Sequence, residues 1–185
     1  MVEFINTYMT EADLANIARI STGKKKRSDK ELLRLLIERG HYSVFEHAVM
    51  TFYVKVPIYT ARQWMRHRMA SYTEKSGRYS EMEDFDASSS MVVKRQVIDN
   101  AFKAYRELIR DGMPKEEARQ ILPLCTETEF YWTVNLRSLM NFLTLRMDKH
   151  AQRDIRENAY VVYNSFRHNY PTIADAYKRS KNGND

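Results

Sequence analysis

Glycine and cysteine are scarce in this chain, and their scarcity limits the kinds of site that it can build. Its 185 residues include five glycines and one cysteine, Cys125. The glycines lie too far apart for a dinucleotide-binding fingerprint or a Walker loop, so side chains must recognise any phosphate. The single cysteine excludes an internal disulfide and a cysteine-rich zinc site, and its apolar neighbours favour a buried residue over a nucleophile. Since the sequence also lacks an HExxH motif, we expect no metal site.

Long hydrophobic runs are also missing from the sequence. No apolar run approaches the roughly 18 residues that would span a bilayer, and the N-terminal stretch carries acids where a signal peptide would be basic and then apolar. This pattern predicts a soluble cytoplasmic protein without a membrane partner. The sequence contains no repeats, low-complexity segments or flexible linkers, which predicts a single domain over residues 1–185.

Positive charge is what the chain has in excess. Thirty Lys and Arg residues face 24 Asp and Glu residues, which gives a formal net charge of +6 and a pI of about 9.3. Such a surface favours anionic partners, including phosphates, acidic cofactors and nucleic acid. Hydrophobic residues make up 43% and charged residues 29% of the chain, a mixture typical of a globular fold.

Capping residues predict where two early helices begin. Thr10 with Asp13, and Ser28 with Glu31, have the spacing of capping pairs, and an amphipathic segment follows each. Gly40 is placed to end the second of these helices.

Other segments predict a mixture of strands and long helices. Residues 48–57 and 125–135 are rich in β-branched and aromatic residues, as strands are. Apolar periodicity predicts helices over residues 58–68 and 91–111, and one or two helices from residue 136 to residue 170. Because strands and helices do not alternate regularly, we expect an α+β fold.

Cationic and aromatic residues are interleaved between Arg62 and Tyr79. If the first part of this segment is helical, Arg62 and Arg66 share one face while Gln63 and His67 share the next. Guanidinium groups bind phosphate in a bidentate manner, whereas aromatic residues among cations are also typical of single-strand nucleic-acid platforms. A solvated basic face would need no ligand at all. This segment alone leaves the three interpretations open.

A second polar set lies in the helical region after residue 135. Arg137 and Asn141 are four residues apart, and Arg146 and His150 repeat that spacing. A solvated stripe would more commonly use Lys and Glu, so Asn and His favour hydrogen bonds to a ligand. A single-stranded nucleic-acid-binding module does not explain this second block.

Several segments together resemble the flavin-dependent thymidylate synthases. Arg66, His67 and Arg68 are followed at the family's spacing by Ser76, in "RHRMASYTEKSGRYS". Further blocks occur in the family's order: "GHYSVFEH", "ARQWMRHR", "EARQILPL" and "WTVNLRSLMNFLTLRMDKHAQ". The resemblance implies a homotetramer with an α+β fold, a mostly antiparallel sheet and long helices. It also implies reductive methylation of dUMP to dTMP, with methylenetetrahydrofolate as the carbon donor and with FAD, reduced by NADPH, as the hydride source.

The resemblance also assigns residues to the two ligands. The residues implied to bind FAD are Ser43, Arg66, His67, Arg68, Glu74, Asn135, Arg137 and Asn141, with His41 and His150 close to the flavin ring. The residues implied to bind dUMP, drawn from more than one subunit, are Gln63, Arg66, Glu74, Ser76, Gly77, Arg78, Arg119 and Arg146. The resemblance implies the catalytic role for Arg146, and the chemistry fits, since a guanidinium against the imide edge of uracil favours its ionised, electron-rich form.

Departures from the family pattern keep two further interpretations open. Thr73 stands where the family commonly has asparagine, the segment after Tyr79 is shorter than usual, and the chain ends early. A poorly enclosed site would let water intercept the intermediate. The product would then be a hydroxymethyl nucleotide rather than a methyl one, and a related but inactive protein is the remaining alternative.

Overall fold

The computed structural model describes residues 1–21, 23, 27–83 and 92–182. The elements in these residues are, in chain order, β1 (Val2–Thr7), α1 (Glu11–Ile20), α2 (Asp29–Glu38), a 3-10 helix (Ser43–Glu46), β2 (Val49–Pro57), α3 (Ile58–Trp64), β3 (Ala70–Glu74), α4 (Val92–Arg110), α5 (Lys115–Ala118), a 3-10 helix (Arg119–Ile121), β4 (Glu127–Asn135), α6 (Leu136–Arg146), α7 (Arg153–Asn169) and α8 (Pro171–Asn182).

The four described strands form one sheet in the order β1-β2-β4-β3. Its two central strands run antiparallel, because the Leu136 N–H donates to the Ala48 carbonyl while the Ile58 N–H donates to the Thr126 carbonyl. This sheet, together with the helices, confirms the predicted α+β class with an antiparallel sheet.

Capping predicted from the sequence is present at both early helices. The Thr10 hydroxyl accepts from the Asp13 N–H, and the Asp13 carboxylate accepts from the Thr10 N–H at 2.8 Å. Ser28 and Glu31 make the same reciprocal pair at the start of α2. Gly40, with φ of +69°, lies just beyond the end of α2, in the left-handed region that glycine tolerates best.

The chain divides into two compact units. The first unit comprises Met1, Val54–Arg66 and Tyr72–Tyr131, and the second comprises Val2–Tyr53, His67–Ser71 and Trp132–Asp185. The strands β2 and β4 each contribute residues to both units. The expectation of a single domain over residues 1–185 stays a prediction.

The largest fully buried side chains of each unit are aromatic. In the first unit, the rings of Trp64 and Phe130 pack edge to face with centroids 5.9 Å apart. In the second unit, Trp132 packs between Phe52 and Phe142, at 5.6 and 4.9 Å. These contacts join β2, β4 and α6, and so fix where the residues on α6 lie.

Two of the predicted helical stretches extended too far, and one helix was not predicted. The helix predicted over residues 58–68 ends at Trp64, because the chain turns there to enter β3. Arg66 and His67 therefore do not share helix faces with Arg62 and Gln63. Similarly, α6 ends at Arg146, so His150 does not continue its stripe. The helix α8, which begins at Pro171, was not predicted.

The remaining helix predictions agree with the structure where it describes them. The helix predicted over residues 91–111 is α4, Val92–Arg110, and Met91 lies outside the described residues. The prediction of one or two helices between residues 136 and 170 is confirmed by α6 and α7. Most of the short segment after Tyr79, from residue 84 onward, also lies outside the described residues.

Candidate functional site

A pocket of about 370 Å³ lies in the first unit. Sites that hold small molecules usually measure about 300–1,000 Å³. The residues that line it are Ile58, Glu74, Lys75, Ser76, Gly77, Met82, Arg119, Leu122, Thr126 and Thr128. The structure thus brings together four of the predicted nucleotide residues: Glu74, Ser76, Gly77 and Arg119.

Ser76 begins a tight turn that forms one wall of this pocket. Its carbonyl accepts hydrogen bonds from the N–H groups of Tyr79 and Ser80, and its hydroxyl oxygen accepts from the Arg78 N–H at 3.3 Å. The hydroxyl is therefore part of the turn, and among the described contacts no general base adjoins it. This arrangement fits a binding residue and not an activated nucleophile.

Gly77 is buried where two pocket side chains approach its backbone closely. A Cβ atom at this position would lie 3.0 Å from the Met82 Sδ and 3.3 Å from the Arg119 Cδ. Since real Cβ contacts are rarely that short, the missing side chain is what lets the Arg119 stem pack here. Gly77 therefore shapes the pocket by making room for a cation.

Glu74 is held in place by a buried hydroxyl. The Thr128 Oγ1 donates to the Glu74 Oε1 at 2.7 Å, and Thr128 is almost fully buried on β4. A hydrogen bond of this kind fixes the orientation of the carboxylate at the edge of the pocket. Glu74 can therefore accept a hydrogen bond from a ligand without first reorganising.

Three other predicted nucleotide residues of this unit do not line the pocket. Arg78 forms an ion pair with Glu116, its Nε lying 3.2 Å from the carboxylate, and its guanidinium lies 5.3 Å from the centre of the Tyr79 ring. Gln63 belongs to α3, and Arg66 is exposed just after that helix. Their assignment to the nucleotide stays a prediction.

In the second unit, Arg146 and His67 form a direct pair. The Arg146 Nε donates to the His67 Nε2 at 2.9 Å. The His67 ring also packs edge to face on Phe142, with centroids 4.9 Å apart. Burial, with a smaller contribution from the Arg146 charge, lowers the pKa of His67 to about 4. His67 is therefore a neutral acceptor at pH 7, and burial also lowers the pKa of Arg146.

Arg137 links α6 to the 3-10 helix that Ser43 begins. Its guanidinium forms an ion pair with Glu46 at 2.5 Å. Asn141 lies one turn further along α6, also exposed, so both side chains belong to one face of the helix. Asn135 caps the same helix, because its Oδ1 accepts from the Ser138 N–H at 2.8 Å. The predicted cofactor residues Ser43, Arg137 and Asn141 thus lie on two adjoining elements, and Asn135 caps one of them.

The remaining predicted cofactor residues of the second unit are exposed. His41 follows α2, Arg68 precedes β3, and His150 lies in the turn after α6, where its N–H donates to the Asp148 carboxylate. Their roles toward a flavin stay predictions.

Sequence reasoning missed six of the residues that line the pocket: Ile58, Lys75, Met82, Leu122, Thr126 and Thr128. A signal was present for the two threonines. Thr126 and Thr128 alternate in the sequence with charged residues. The same every-second-residue pattern continues in Phe130, Trp132 and Val134, which are all buried. A hydroxyl on an otherwise apolar inward face is a candidate for a specific polar role.

The described residues contain neither a membrane-spanning helix nor a metal site. None of the helices found there is both long enough and apolar enough to cross a bilayer. No group of three or more His, Cys, Asp or Glu side chains in that part of the chain is arranged to hold a metal ion.

Comparisons with known proteins agree with the motif-based interpretation. The sequence model of the family described as "Thymidylate synthase complementing protein" matches residues 4–172. A flavin-dependent thymidylate synthase from Thermotoga neapolitana is 40% identical over 193 residues, which cover 95% of this chain and 89% of that protein. One from Thermosipho africanus is 41% identical over 188 residues, covering 86% and 82%. The crystal structure of a UMP/dUMP methylase from Streptomyces cacaoi, bound with 5-Br dUMP, is 28% identical and superposes with a TM-score of 0.86, covering 97% of this chain and 94% of that one.

Proposed function

The chain belongs to the family of the flavin-dependent thymidylate synthases, and we propose that it methylates dUMP to dTMP with FAD as cofactor. The observation that carries the proposal is the pocket of the first unit, where Glu74, Ser76, Gly77 and Arg119 line one cavity. The motif resemblance independently implies these same four residues for dUMP. The structural neighbour that contains a dUMP analogue supports the same substrate.

The pocket has the chemistry that a pyrimidine monophosphate needs. Arg119 supplies positive charge for the phosphate, and Ser76 contributes a hydroxyl beside the turn amides. Glu74, oriented by Thr128, accepts a hydrogen bond from a sugar hydroxyl or a ring N–H. The apolar side chains of Ile58 and Leu122 suit the faces of a pyrimidine ring.

The second unit has a donor set that fits a flavin dinucleotide. Arg137, Asn141 and Ser43 lie on two adjoining elements, with exposed guanidinium, amide and hydroxyl groups suited to diphosphate and ribose oxygens. When bound, FAD reduced by NADPH supplies the hydride, and methylenetetrahydrofolate supplies the carbon unit. The assignment of Arg68, Asn135, His41 and His150 to this cofactor follows the resemblance.

Arg146 is proposed to activate the uracil ring. A guanidinium against the imide edge stabilises negative charge on the ring, which makes carbon 5 more electron-rich. His67 accepts a hydrogen bond from the Arg146 Nε and, being neutral, does not repel the guanidinium strongly.

Cys125 is partly buried against the Ile98 and Phe102 cluster, so it is not proposed as a nucleophile.

The deciding experiment is mass analysis of the nucleotide that the purified protein makes from dUMP. The protein is supplied with FAD, NADPH and methylenetetrahydrofolate, and we expect a methylated product together with flavin absorbance. A hydroxymethyl product would reassign the reaction, and an inactive yellow protein would indicate a relative that has lost turnover. A colourless protein that binds oligonucleotides in a strongly salt-dependent way would support the nucleic-acid alternative instead.

A further inference from the structure

Thr126 lines the pocket of the first unit, and its hydroxyl has no hydrogen-bond partner within the described part of the chain. The residue is 0% exposed. Both of its backbone groups are already used, because its N–H donates to the Pro123 carbonyl and its carbonyl accepts from the Ile58 N–H, each at 2.9 Å. Only the side-chain hydroxyl is left over. A buried polar group without a partner costs free energy, and native proteins rarely keep one without a reason.

The neighbouring threonine shows what the same wall of the pocket does with a second hydroxyl. Thr128 lies two residues further on, within β4, and lines the same pocket. Its hydroxyl donates to Glu74 at 2.7 Å and is thereby satisfied within the protein. Of these two hydroxyls, one orients a pocket carboxylate and the other has no partner among the described residues.

The surroundings of Thr126 favour an uncharged group as that partner. Ile58 and Leu122 line the same pocket, and hydrogen bonds are stronger in such apolar surroundings than in water. A hydroxyl can both donate and accept, which suits a sugar hydroxyl or a ring carbonyl. The phosphate, by contrast, is matched by the cation Arg119.

We propose that Thr126 is a further nucleotide-binding residue, whose hydroxyl pairs with an uncharged oxygen of the bound pyrimidine nucleotide. The inference rests on the proposed function, since it takes dUMP to be the occupant of this pocket. Thr126 then adds specificity to a site whose charged residues set its attraction for the phosphate.

Thr126→Val tests the inference, because valine keeps the shape of threonine and removes the hydroxyl. With the FAD-loaded protein and dUMP as the titrant, we expect calorimetry to give a dissociation constant about three- to tenfold higher than that of the wild type. Thr126→Ser keeps the hydroxyl and is expected to bind within about twofold of the wild type. Without ligand, Thr126→Val should unfold at the same temperature as the wild type or higher, since it loses an unpaired buried hydroxyl.

Thr60 offers a matched control in the same unit. It is also 0% exposed with an unpartnered hydroxyl in the described structure, but it does not line the pocket. Thr60→Val should therefore leave dUMP affinity unchanged.

Two results would overturn the inference while leaving dUMP as the ligand. One is wild-type affinity in Thr126→Val, and the other is a marked loss of its thermal stability, which would mean that the fold itself uses the hydroxyl. A wild-type protein that binds no dUMP would instead reject the proposed function along with the inference.

Discussion

At the scale of single residues, the pair of Arg146 and His67 has a consequence for stability. The pKa of His67 is lowered to about 4 in the folded protein, mainly by burial, whereas an unfolded histidine titrates near its ordinary value. Between these two values the unfolded chain binds a proton that the folded chain excludes. The free energy of unfolding is therefore highest above the pKa of the unfolded histidine. It decreases as the pH falls toward 4.

His67→Gln should remove that part of the pH dependence. We expect the free energy of unfolding of the wild type to fall by about 1 kcal/mol between pH 7 and pH 4.5. This value includes a reduction for solvent screening, because the His67 ring is only half-buried. The fall should be clearly smaller in the variant. Urea unfolding at both pH values measures the difference. His150→Gln, at an exposed position, should behave as the wild type, and an equal fall in all three proteins would contradict the assignment.

Gly77 gives a second prediction at this scale. Gly77→Ala would place a Cβ 3.0 Å from the Met82 Sδ and 3.3 Å from the Arg119 Cδ, so both side chains must shift within the pocket. We expect the KM for dUMP to rise about tenfold. The free energy of unfolding should fall by only about 1 kcal/mol, because the side chains that must shift are flexible. Steady-state kinetics and thermal unfolding measure the two effects.

Gly112 supplies the control for that substitution. Its φ is +89°, and a Cβ there would meet no atom within 4 Å. Gly112→Ala should therefore cost stability through its backbone, by about 1 kcal/mol, and leave the KM unchanged. If Gly77→Ala lowered stability in the same way without changing the KM, its role in the pocket would be refuted.

Where a motif contained the predicted residues, the structure groups several of them, although their roles stay predictions. Glu74, Ser76 and Gly77 follow one short signature, and the structure places them around one pocket. Thr126 and Thr128 could not be found in this way, because hydroxyl side chains in a β-rich segment are equally typical of strand packing. The role of Thr128 depends on Glu74, and that of Thr126 on the pocket that both line, and neither is evident from the local sequence.

At the scale of elements, the segment 76–82 contains the turn that forms one wall of the pocket. Backbone hydrogen bonds to β4 hold both of its ends. The Lys75 N–H donates to the Glu129 carbonyl, and the Glu127 N–H donates to the Glu83 carbonyl. Five charged side chains reinforce these anchors, here termed the ion-pair cluster: Lys55, Lys75, Glu83, Glu127 and Glu129. In it, Glu83 lies 3.1 Å from Lys55 and 3.6 Å from Lys75.

Glu83→Gln should loosen this segment, because Glu83 is the member of the ion-pair cluster that contacts both lysines. Exposed ion pairs contribute little singly, so we expect a two- to fivefold rise in the KM for dUMP, little change in kcat, and a smaller effect at high salt. Hydrogen exchange should accelerate at the Tyr79 and Ser80 amides, which bond to Ser76.

Glu157→Gln is the matched control for the ion-pair cluster. It removes an exposed ion pair with Arg153, 2.7 Å long, within α7 of the second unit. It should change neither the KM nor the exchange of the turn amides. Equal rates of amide hydrogen exchange in Glu83→Gln and the wild type would show that the backbone hydrogen bonds hold the segment without the ion pairs.

Helix starts were easier to predict than helix ends. The capping pairs of Thr10 and Ser28 are local, so the sequence contains the whole signal. The end of α3 at Trp64 depends instead on the pairing of β3 in the sheet, which involves residues far away along the chain. Tertiary pairing thus decided a boundary that periodicity alone had extended by four residues.

At the scale of the whole molecule, the nucleotide residues are predicted to come from more than one subunit. Arg119 belongs to the first unit of the chain and Arg146 to the second. Leu124 and Leu145, which are near these two arginines in the sequence, have exposed side chains. A homotetramer, which the family resemblance implies, would then complete each site with a residue from a neighbouring chain.

Mixing two inactive variants tests this assembly. Arg119→Ala and Arg146→Ala should each lose nearly all dTMP formation alone, and Arg146→Ala should keep its flavin absorbance. If each site takes Arg119 from one subunit and Arg146 from another, random exchange in an equal mixture makes about a quarter of the sites intact. We therefore expect about a quarter of wild-type activity after the two variants are unfolded and refolded together. If native mass spectrometry shows mixed oligomers and activity does not return, both arginines must act within one subunit.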